Sequence, residues 1–408
     1  MKKIIALMMA LVLVLGLTAC GGNAAEADTF KVGAIYINSK NDTAGYTFAH
    51  HNGITTAMKE LGLDVEKQLV IMDEVPEDKQ KVLDAVDTLV GEGADIVFGI
   101  SFGYIDALEE ASNTYPDVIF SHGTGYKANE TNFNNYFGRI YQARYLAGIA
   151  AGLKSLEVGN DKIGYVAAHT TDYAETASGI NGFALGVQAV NPNATVYVKN
   201  LNNWADEVNE KAYAEELISS FGCGVISQHC DSAQPQIAAQ NAGVFGCGYN
   251  SDMTPDAPKA HLTAAIWNWN VYYGTAIKAA MECEKAADFV TKMGGNAYYG
   301  GLAEGFVDVS PLSENCAPKT AEIIDTVKAM MVSGEWDVFS GVKLQIDAAT
   351  GTVTKVEAAL ESNGFMYVDG NFAVPMENPV VVEAGGASVD DGVIKGSMNY
   401  LVKGVEEA

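Results

Sequence analysis

Short apolar runs of strand length alternate with longer stretches of helical periodicity from about residue 30 onward. In the first part of this pattern the predicted strands are 31–37, 69–72, 95–100 and 118–121, and the predicted helices are 46–61, 78–90 and 104–112. Strands that alternate strictly with helices are typical of a parallel sheet covered by helices on both faces. The pattern therefore predicts an α/β unit in the amino-terminal part of the chain.

The same pattern then starts again after an amphipathic helix at 141–156. The second set of predicted strands is 162–167, 195–199, 224–228, 244–249 and 261–266, and the helices between them are 175–190, 206–221 and 234–242. Two copies of one architecture in tandem predict two Rossmann-like lobes, each with a parallel sheet, and a cleft between them.

Beyond residue 266 the chain is predicted to cross back between the lobes. A helix at 272–282, a glycine-rich turn at 294–301, a strand at 305–309 and a helix at 319–332 precede a tail of short strand-like pieces.

We assign 30–138 with about 267–300 to lobe 1, and 139–266 with about 301–408 to lobe 2. The chain would then cross the hinge between the lobes several times.

The helix at 141–156 carries Gly148 and Gly152 four residues apart, a spacing also found in membrane helix dimers. Arg144 interrupts any membrane-spanning segment there. We therefore expect these glycines to allow close packing of the helix on a sheet.

The amino terminus has the pattern of a targeting segment rather than of a folded domain. Lys2 and Lys3 precede a fourteen-residue apolar run at 4–17, and small residues follow it. This arrangement is typical of a secretory signal peptide, here 1–19. Fourteen residues are too few to cross a bilayer, which needs roughly 20.

The sequence LTACGG at 17–22 resembles a bacterial lipobox, in which the cysteine is lipidated and becomes the first residue. Cys20 would then anchor the protein in the cell membrane at its extracytoplasmic face, with 20–29 as a tether. An ordinary secretory signal that happens to be followed by a cysteine is the alternative.

Composition excludes several classes of function. The chain has 48% hydrophobic and 19% charged residues, which is typical of a well-buried globular protein. The net charge of −26 becomes −28 once Lys2 and Lys3 are removed (−26 − 2). So acidic a surface repels phosphate backbones, and we expect no nucleic-acid partner.

Motifs for metals and cofactors are missing from the sequence. The five cysteines after Cys20 include no C-x₂-C pair, and H-E-x-x-H is absent, so we expect no metal site. Neither a G-x-G-x-x-G in the right context nor a P-loop is present, so we expect no nucleotide cofactor. Cys223 and Cys247 fit buried apolar positions, and a disulfide among Cys223, Cys230 and Cys247 remains open.

Polar and aromatic residues recur at the predicted carboxyl ends of strands in both halves. Each alone is more often structural, but ligands of open α/β folds bind at this edge of the sheet. Aromatic side chains there can sandwich a flat ring, and a carboxylate can accept N–H bonds from a heterocycle. The candidate ligand-binding residues are Tyr46, Ser101, Phe102, His122, Tyr173, Trp204, His229, Asp252, Trp267 and Asn268.

The sequence GISFG at 99–103 matches the G-x-S-x-G motif of α/β hydrolases and lies between a predicted strand and a predicted helix. An exported esterase with Ser101 as nucleophile and Asp252 and His261 as partners is therefore an alternative. The HGGG-type oxyanion loop is missing, and two tandem halves do not fit the single sheet of such an enzyme. We therefore expect a binding protein without catalytic residues.

The chain resembles the basic membrane protein (BMP) family of lipoproteins, which are substrate-binding components of ABC importers. The resemblance covers about 31–344 and is carried by AGYTFAH at 44–50, SFGY at 101–104, RYLAG at 144–148, GVFGCGYNSD at 243–252 and PKAHLT at 258–263, with MNYLVKG at 398–404 similar to the family's ending. It implies the type I periplasmic-binding-protein fold, a purine nucleoside or nucleobase as ligand, a membrane permease as partner and, we expect, a monomer.

The resemblance also implies roles for four residues. Tyr46 stands where the family has an aromatic residue that stacks on the base, Asp252 matches a carboxylate that contacts the ligand, and Trp204 follows the corresponding strand. In nucleoside-binding members a lysine helps to hold the ribose, and Trp267 takes that place here. An indole would fill the space of the sugar, which favours a free base such as adenine or guanine.

Two further alternatives stay open. The same scaffold could bind another small metabolite, such as a sugar or an autoinducer, or it could serve chiefly as a surface receptor or adhesin.

Overall fold

The computed structural model describes residues 29–42, 45–369 and 372–408. The predicted signal peptide, the lipidation site at Cys20 and most of the predicted tether lie outside the described residues.

The first sheet has six strands in the order β11-β5-β4-β3-β1-β2, and all its neighbouring strands are parallel. Its strands are β1 (Val32–Tyr36), β2 (Leu69–Met72), β3 (Ile96–Ile100), β4 (Ile119–Gly123), β5 (Phe133–Gly138) and β11 (Ala297–Gly300). The prediction of a parallel sheet is confirmed, although β5 and β11 were not predicted as strands.

The second sheet has seven strands in the order β12-β10-β9-β8-β6-β7-β19. Only β12 runs antiparallel to its neighbour. The strands are β6 (Lys162–Ala167), β7 (Thr195–Asn200), β8 (Val225–His229), β9 (Phe245–Asn250), β10 (His261–Trp267), β12 (Val307–Val309) and β19 (Val405–Glu407). The carboxyl-terminal residues thus complete this sheet at its edge.

Helices connect the strands, as the alternating pattern predicts. The main helices are α1 (Gly45–Glu60), α2 (Val65–Gln68), α3 (Lys79–Gly91), α4 (Ile105–Thr114), α5 (Ile140–Val158), α6 (Ala174–Val190), α7 (Glu207–Ser219), α8 (Gln234–Ala242), α9 (Trp269–Met281), α10 (Phe289–Lys292), α11 (Thr320–Val332) and α12 (Asp391–Gly396), with short 3₁₀ helices at Phe102–Tyr104 and Ala286–Asp288.

Both faces of the first sheet are buried. In β3, Val97 belongs to an apolar cluster with Val82 of α3 and Leu108 of α4, whereas Phe98 belongs to a different cluster with Ile54 of α1. Neighbouring side chains of a strand point to opposite faces, so helices must cover both.

Within the part of the chain that the structure describes, the backbone passes between the sheets at three places. It leaves β5 for α5 and β6, returns from β10 to α9, which packs against α1, and leaves β11 for β12. The carboxyl ends of both sets of parallel strands lie at these crossings, and this is where the candidate site is expected.

The two glycines of α5 pack on a helix and not on a sheet. A Cβ atom at Gly148 would lie 2.1 Å from the carbonyl oxygen of Phe183 in α6, and a Cβ atom at Gly186 of α6 would lie 2.1 Å from the carbonyl oxygen of Tyr145. The expected packing of α5 on a sheet is present, against β10 and β12, but the glycines themselves allow the close approach of α6.

Residues after α11 form three small antiparallel pairs before the chain reaches β19. They are β13 (Val342–Ile346) with β14 (Val353–Glu357), β15 (Leu360–Glu361) with β18 (Val380–Val382), and β16 (Phe365–Val368) with β17 (Phe372–Pro375). Buried Asn181 of α6 holds this tail, because its side chain donates to the carbonyl of Tyr400 (2.9 Å) and accepts from the amide of Val402 (2.8 Å).

Within the described ranges, no helix combines the length and the apolar character needed to cross a bilayer.

Candidate functional site

The two lobes approach each other at the start of α1. Gly45 has a φ of 81°, and a Cβ atom there would lie 3.6 Å from the backbone oxygen of Asp231, which follows β8 in the other sheet. Glycine suits this position because it adopts positive φ without strain. We call the space between the start of α1 and the carboxyl ends of β6, β8 and β9 the interlobe cleft.

Tyr46 faces this cleft from lobe 1. Its ring contacts His50 edge-on, with centroids 4.3 Å apart, and its hydroxyl lies near Thr124 beyond β4, which moderates the pKa of the phenol. Burial raises the pKa of the Tyr46 phenol, and the nearby carboxylate of Asp231 raises it further. Tyr46 therefore stays neutral and lies between groups of both lobes.

A row of stacked rings continues from Tyr46 to the second crossing. His50 stacks on Trp269 at 3.9 Å between centroids, and Trp269 stacks on Trp267 at 4.5 Å with the planes 14° apart. We call Tyr46, His50, Trp269 and Trp267 the hinge stack. It links the rim of the cleft to the place where the chain passes from β10 to α9.

Trp267 and Asn268 have protein partners at this crossing. The Trp267 ring lies 5.1 Å from that of Phe137 at the end of β5. The Asn268 side chain donates to the carbonyl of Gly305 at 2.9 Å, and its backbone amide donates to Phe306. Asn268 thus ties the second crossing to the third.

Aromatic side chains of lobe 2 face the cleft from the opposite side. Trp204, after β7, has its centroid 6.1 Å from Tyr173, after β6, and 5.9 Å from His229, at the end of β8. His229 in turn lies 5.1 Å from Tyr249 of β9. We call these four residues the aromatic wall; Tyr173 is 42% exposed, which leaves its ring open to a ligand.

Buried charge lies behind the aromatic wall. His229 Nε2 is 3.0 Å from Glu175 Oε2 of α6, and burial lowers the pKa of His229 to about 4. Burial alone would raise the pKa of Glu175, but His229 and Arg144 hold it below its usual value. Arg144 donates to Tyr165 and to the carbonyl of Gln228, while its Nε and Nη2 have no partner in the described chain.

Asp231 is the carboxylate that acts most strongly on the pKa of Tyr46. Its backbone amide donates to the carbonyl of Trp204 at 2.9 Å, so the loop after β8 and the one after β7 are joined. Burial, together with the carboxylates of Glu210, Asp42 and Glu175, raises the pKa of Asp231 to about 7. Its buried Oδ1 has no hydrogen-bond partner among the described residues.

Ser101 and His122 bond to their own lobe. The Ser101 hydroxyl donates to Glu77 Oε1 at 2.5 Å, and the same oxygen accepts the Gly103 amide at 2.8 Å. His122 Nε2 lies 2.7 Å from the carbonyl oxygen of Ser101, and burial lowers the pKa of His122 to about 4. These contacts fix the start of the Phe102–Tyr104 turn, and the Phe102 ring stays 50% exposed.

Asp252 has its described partners within its own lobe. Its Oδ1 accepts from the amide and the hydroxyl of Thr254, at 3.0 and 2.6 Å, and lies 3.5 Å from Nε2 of buried His261. Asp252 itself follows the carboxyl end of β9 by two residues. No contact among the described residues joins Ser101 to Asp252 or His261, so the geometry of a hydrolase triad is absent from that part of the chain.

The structure thus brings together part of the predicted set. Tyr46, Tyr173, Trp204 and His229 lie around the cleft. Trp267 and Asn268 lie at the second crossing, between β10 and α9. The side chains of Ser101, His122 and Asp252 are hydrogen-bonded to other protein groups. The predicted set also lacked several groups whose buried polar atoms have no partner among the described residues, among them Thr47, Arg144, Asp231 and Asn250. Asp231 follows a strand end by two residues, so the strand-end rule could have found it.

An open groove of about 770 Å³ lies elsewhere in lobe 2, between α6 and the β13–β14 pair. Leu185, Val338 and Leu344 line it beside Lys343 and several threonines. It is remote from the strand ends that carry the aromatic wall, and we place the candidate site in the cleft.

The cysteines and acidic groups form no other centre in the described residues. Cys223, Cys230, Cys247, Cys283 and Cys316 are free thiols, the first three buried. No group of three or more His, Cys, Asp or Glu side chains there is arranged to hold a metal ion.

Comparison with known proteins places the chain in a family. The family model for "ABC transporter substrate-binding protein PnrA-like" matches residues 30–335. A purine-binding protein of Brucella abortus is 32% identical over 323 residues, which cover 79% of this chain and 86% of that protein. TsgA13 of Haloferax volcanii, whose name assigns it to glucose binding in an ABC transporter, is 32% identical over 325 residues, which cover 79% of this chain and 78% of that protein.

Solved structures share the fold at low identity. An ABC transporter solute-binding protein from Conexibacter woesei matches with a TM-score of 0.61 and 20% identity, covering 76% of this chain and 98% of that one. A second, from Aeropyrum pernix, matches with a TM-score of 0.59 and 17% identity, covering 78% and 93%. These matches confirm the type I periplasmic-binding-protein fold.

Proposed function

The chain belongs to the family of PnrA-like ABC transporter substrate-binding proteins, and from that premise we propose that it binds a purine base between its two lobes and presents it to a membrane permease. Family membership gives the class of protein. The identity of the ligand rests on the chemistry of the cleft.

The observation that carries the proposal is the pairing of ring surfaces across the cleft. Tyr46 lies on one side and the aromatic wall, with the open ring of Tyr173, on the other. Asp231 is close enough to interact electrostatically with both Tyr46 and Tyr249. Rings on both sides suit a flat heterocycle, since stacking on a base is worth roughly 1–3 kcal/mol. A polar group between the rings can bond to its ring nitrogens.

A sugar is the second candidate, because one relative of equal identity is named for glucose binding. Sugars also stack on aromatic rings, but they carry hydroxyl groups around the whole ring and need many polar partners. Ser101, Asn268 and Asp252 already have protein partners, whereas Thr47, Arg144, Asp231 and Asn250 carry buried polar atoms without one among the described residues. The ring surfaces on both sides of the cleft favour a planar purine over a puckered, hydroxyl-rich sugar.

Ligand capture would require the lobes to separate and close again. We propose hinge bending at the three crossings, which follow β5, β10 and β11. We further propose that lipidation at Cys20 holds the protein at the extracytoplasmic face of the membrane, beside its permease.

Calorimetric titration of the purified protein tests the ligand. Adenine, guanine, hypoxanthine, adenosine, guanosine, glucose and galactose form the panel, and mass spectrometry of copurified small molecules supplies an independent readout. We expect at least one purine to bind at micromolar concentration or tighter, about −8 kcal/mol, and the sugars not to bind at millimolar concentration. Binding of a sugar without binding of any purine would contradict the proposal.

A further inference from the structure

We propose that Asp231 reads the edge of the purine as a neutral carboxylic acid, so that it offers an O–H donor beside a C=O acceptor and couples ligand binding to uptake of a proton. This inference rests on the proposed function, since it assigns a ligand edge within the same cleft.

The position of Asp231 is fixed from two sides. The backbone amide of Asp231 donates a hydrogen bond to the carbonyl of Trp204. The side chain of Asp231 faces the start of α1, where a Cβ atom at Gly45 would lie 3.9 Å from Asp231 Cγ. Buried Oδ1 has no partner in the described part of the chain, although buried polar atoms are normally paired. A ligand that enters between the lobes can supply the missing partner.

The surroundings of Asp231 disfavour a negative charge. Three carboxylates interact with it: Glu210 from α7, Asp42 from the loop before α1, and Glu175 from α6. The other titratable neighbours are the phenols of Tyr46 and Tyr249 and the thiol of Cys230, none of which offers a positive charge.

Basic groups near the cleft act on a different carboxylate. His229 and Arg144 interact with Glu175, and among the described residues no lysine, arginine or histidine shifts the pKa of Asp231. A buried carboxyl group with like charges around it keeps its proton to higher pH, in agreement with its pKa of about 7.

Glu210 cannot relieve this repulsion by moving away. Its Oε1 accepts the Asp206 amide at 3.0 Å, and its Oε2 accepts the Ser232 amide at 3.1 Å and the Ser232 hydroxyl. These bonds hold a fully buried carboxylate beside Asp231.

The protonation state decides which purine edge fits. Adenine places the N7 acceptor beside the N6 amino donor, and an amide side chain recognises this pair by bonding to both. A neutral carboxylic acid has the same arrangement of one donor and one acceptor. An ionised carboxylate has two acceptors instead and would suit the adjacent N1–H and N2 amino donors of guanine. A neutral Asp231 therefore favours adenine.

Titration of adenine at pH 5.5, 6.5, 7.5 and 8.5, in pairs of buffers with different ionisation enthalpies, tests the coupling. We expect a flat affinity below about pH 6.5 and a Kd that rises by up to about tenfold per pH unit above pH 7, because the free protein must then take up a proton. Proton uptake should approach one per bound adenine at pH 8.5.

Three variants complete the test. Asp231→Asn keeps one donor beside one acceptor at every pH, so adenine binding should persist, become independent of pH and take up no proton. Asp231→Ala should lose at least tenfold in affinity. Asp106→Asn changes a surface carboxylate that is paired with Lys127 and should keep the wild-type profile.

The outcomes separate this inference from the proposed function. Purine binding without pH dependence and without proton uptake would overturn the role of Asp231 and leave the purine ligand intact. Guanine binding that strengthens above pH 7 would also overturn it, because the carboxyl would then act ionised. Failure of every purine to bind would overturn both. Melting curves show whether each variant is folded, and proton uptake by the wild type decides the question if Asp231→Asn is not.

Discussion

At the scale of single residues, Trp204 contributes both a ring to the aromatic wall and a backbone hydrogen bond to Asp231. Its ring lies between those of Tyr173 and His229, and its carbonyl holds the backbone of Asp231. Replacing the side chain removes the ring but keeps the backbone bond. The contribution of stacking can therefore be measured without moving the acidic group.

We expect Trp204→Ala to weaken purine binding tenfold or more, since one decade is about 1.4 kcal/mol and stacking supplies roughly 1–3 kcal/mol. Trp204→Phe should retain most of the affinity. Tyr126→Ala serves as the control, because that ring is 72% exposed and lies outside the aromatic wall. Calorimetry measures the three constants, and equal binding by Trp204→Ala and the wild type would show that the wall does not contact the ligand.

Trp267 leads to a prediction about the chemical form of the ligand. The family resemblance implies that its indole takes the place of a lysine that holds ribose, and the structure packs that indole against Trp269 and Phe137. A free base should therefore bind more tightly than its nucleoside. Trp267→Ala should reduce the difference in affinity between the free base and its nucleoside. Titration of adenine and adenosine measures it, and tighter binding of the nucleoside would contradict the assignment.

The residue scale also shows where sequence reasoning ends. A polar residue at a strand end can be located from the pattern, but the direction of its side chain depends on neighbours that are distant in sequence. The carboxylate of Glu77 accepts a hydrogen bond from the hydroxyl of Ser101, and the carbonyl of Gly305 accepts one from the side-chain amide of Asn268. Asp252 bonds locally to Thr254, as short acidic side chains in turns often do. The role of Asp252 in binding stays a prediction.

At the scale of elements, the packing of α1 on α9 positions the hinge stack. Helix α1 carries Tyr46 and His50, and helix α9 carries Trp269 at its first turn. The two helices meet at Gly53, where a Cβ atom would lie 2.4 Å from Trp269 Cβ. The two helices can therefore lie this close because Gly53 has no side chain.

We expect Gly53→Ala to destabilise the protein by about 1–3 kcal/mol, because the added methyl group overpacks this contact. Gly274→Ala is the matched control on α9, since its Cβ atom would have its nearest neighbour, Ala57 Cβ, at 4.0 Å. Gain in helix propensity should leave that variant neutral or slightly stabilised, by up to about 1 kcal/mol. Chemical denaturation compares the two; equal stability would show that α1 can shift without cost.

The hydrophobic periodicity of the sequence predicted most helices and strands but not the contacts between them. Helix α6 was expected at 175–190 and is found at Ala174–Val190. Strand β5 was missed because its sequence, FNNYFG, lacks an apolar run. Its buried Asn134 is accommodated by a hydrogen bond to the hydroxyl of Tyr272, which is more than one hundred residues away. Such long-range compensation leaves no local signal.

At the scale of the whole molecule, two sheets of mainly parallel strands and the crossings between them follow from the repeated pattern, and the family comparison agrees with them. The closed approach of Gly45 to Asp231 could not be predicted, because it depends on how one lobe sits on the other. The division of the chain into 30–138 with about 267–300, and 139–266 with about 301–408, stays a prediction.

Buried histidines in both lobes give the molecule a defined response to acid. His122, His229 and His261 each have a pKa lowered to about 4, with burial as the main cause. In the unfolded chain each would titrate near 6.5. The unfolded state therefore binds more protons than the folded state between about pH 6.5 and pH 4, and stability must fall as the pH is lowered through this window.

The effect of Asp231 on the pH dependence of stability has the opposite sign. Its pKa of about 7 in the fold lies above the value of about 3.9 expected when unfolded, so its neutral form adds stability as the pH falls below 7. Three histidines oppose one carboxyl group, and we expect the melting temperature to fall by about 4 °C between pH 7 and pH 5. In Asp231→Asn the fall should be steeper, because the opposing contribution is removed. Differential scanning calorimetry of both proteins measures the two slopes, and a melting temperature that rises on acidification would mean that the histidines are charged inside the fold.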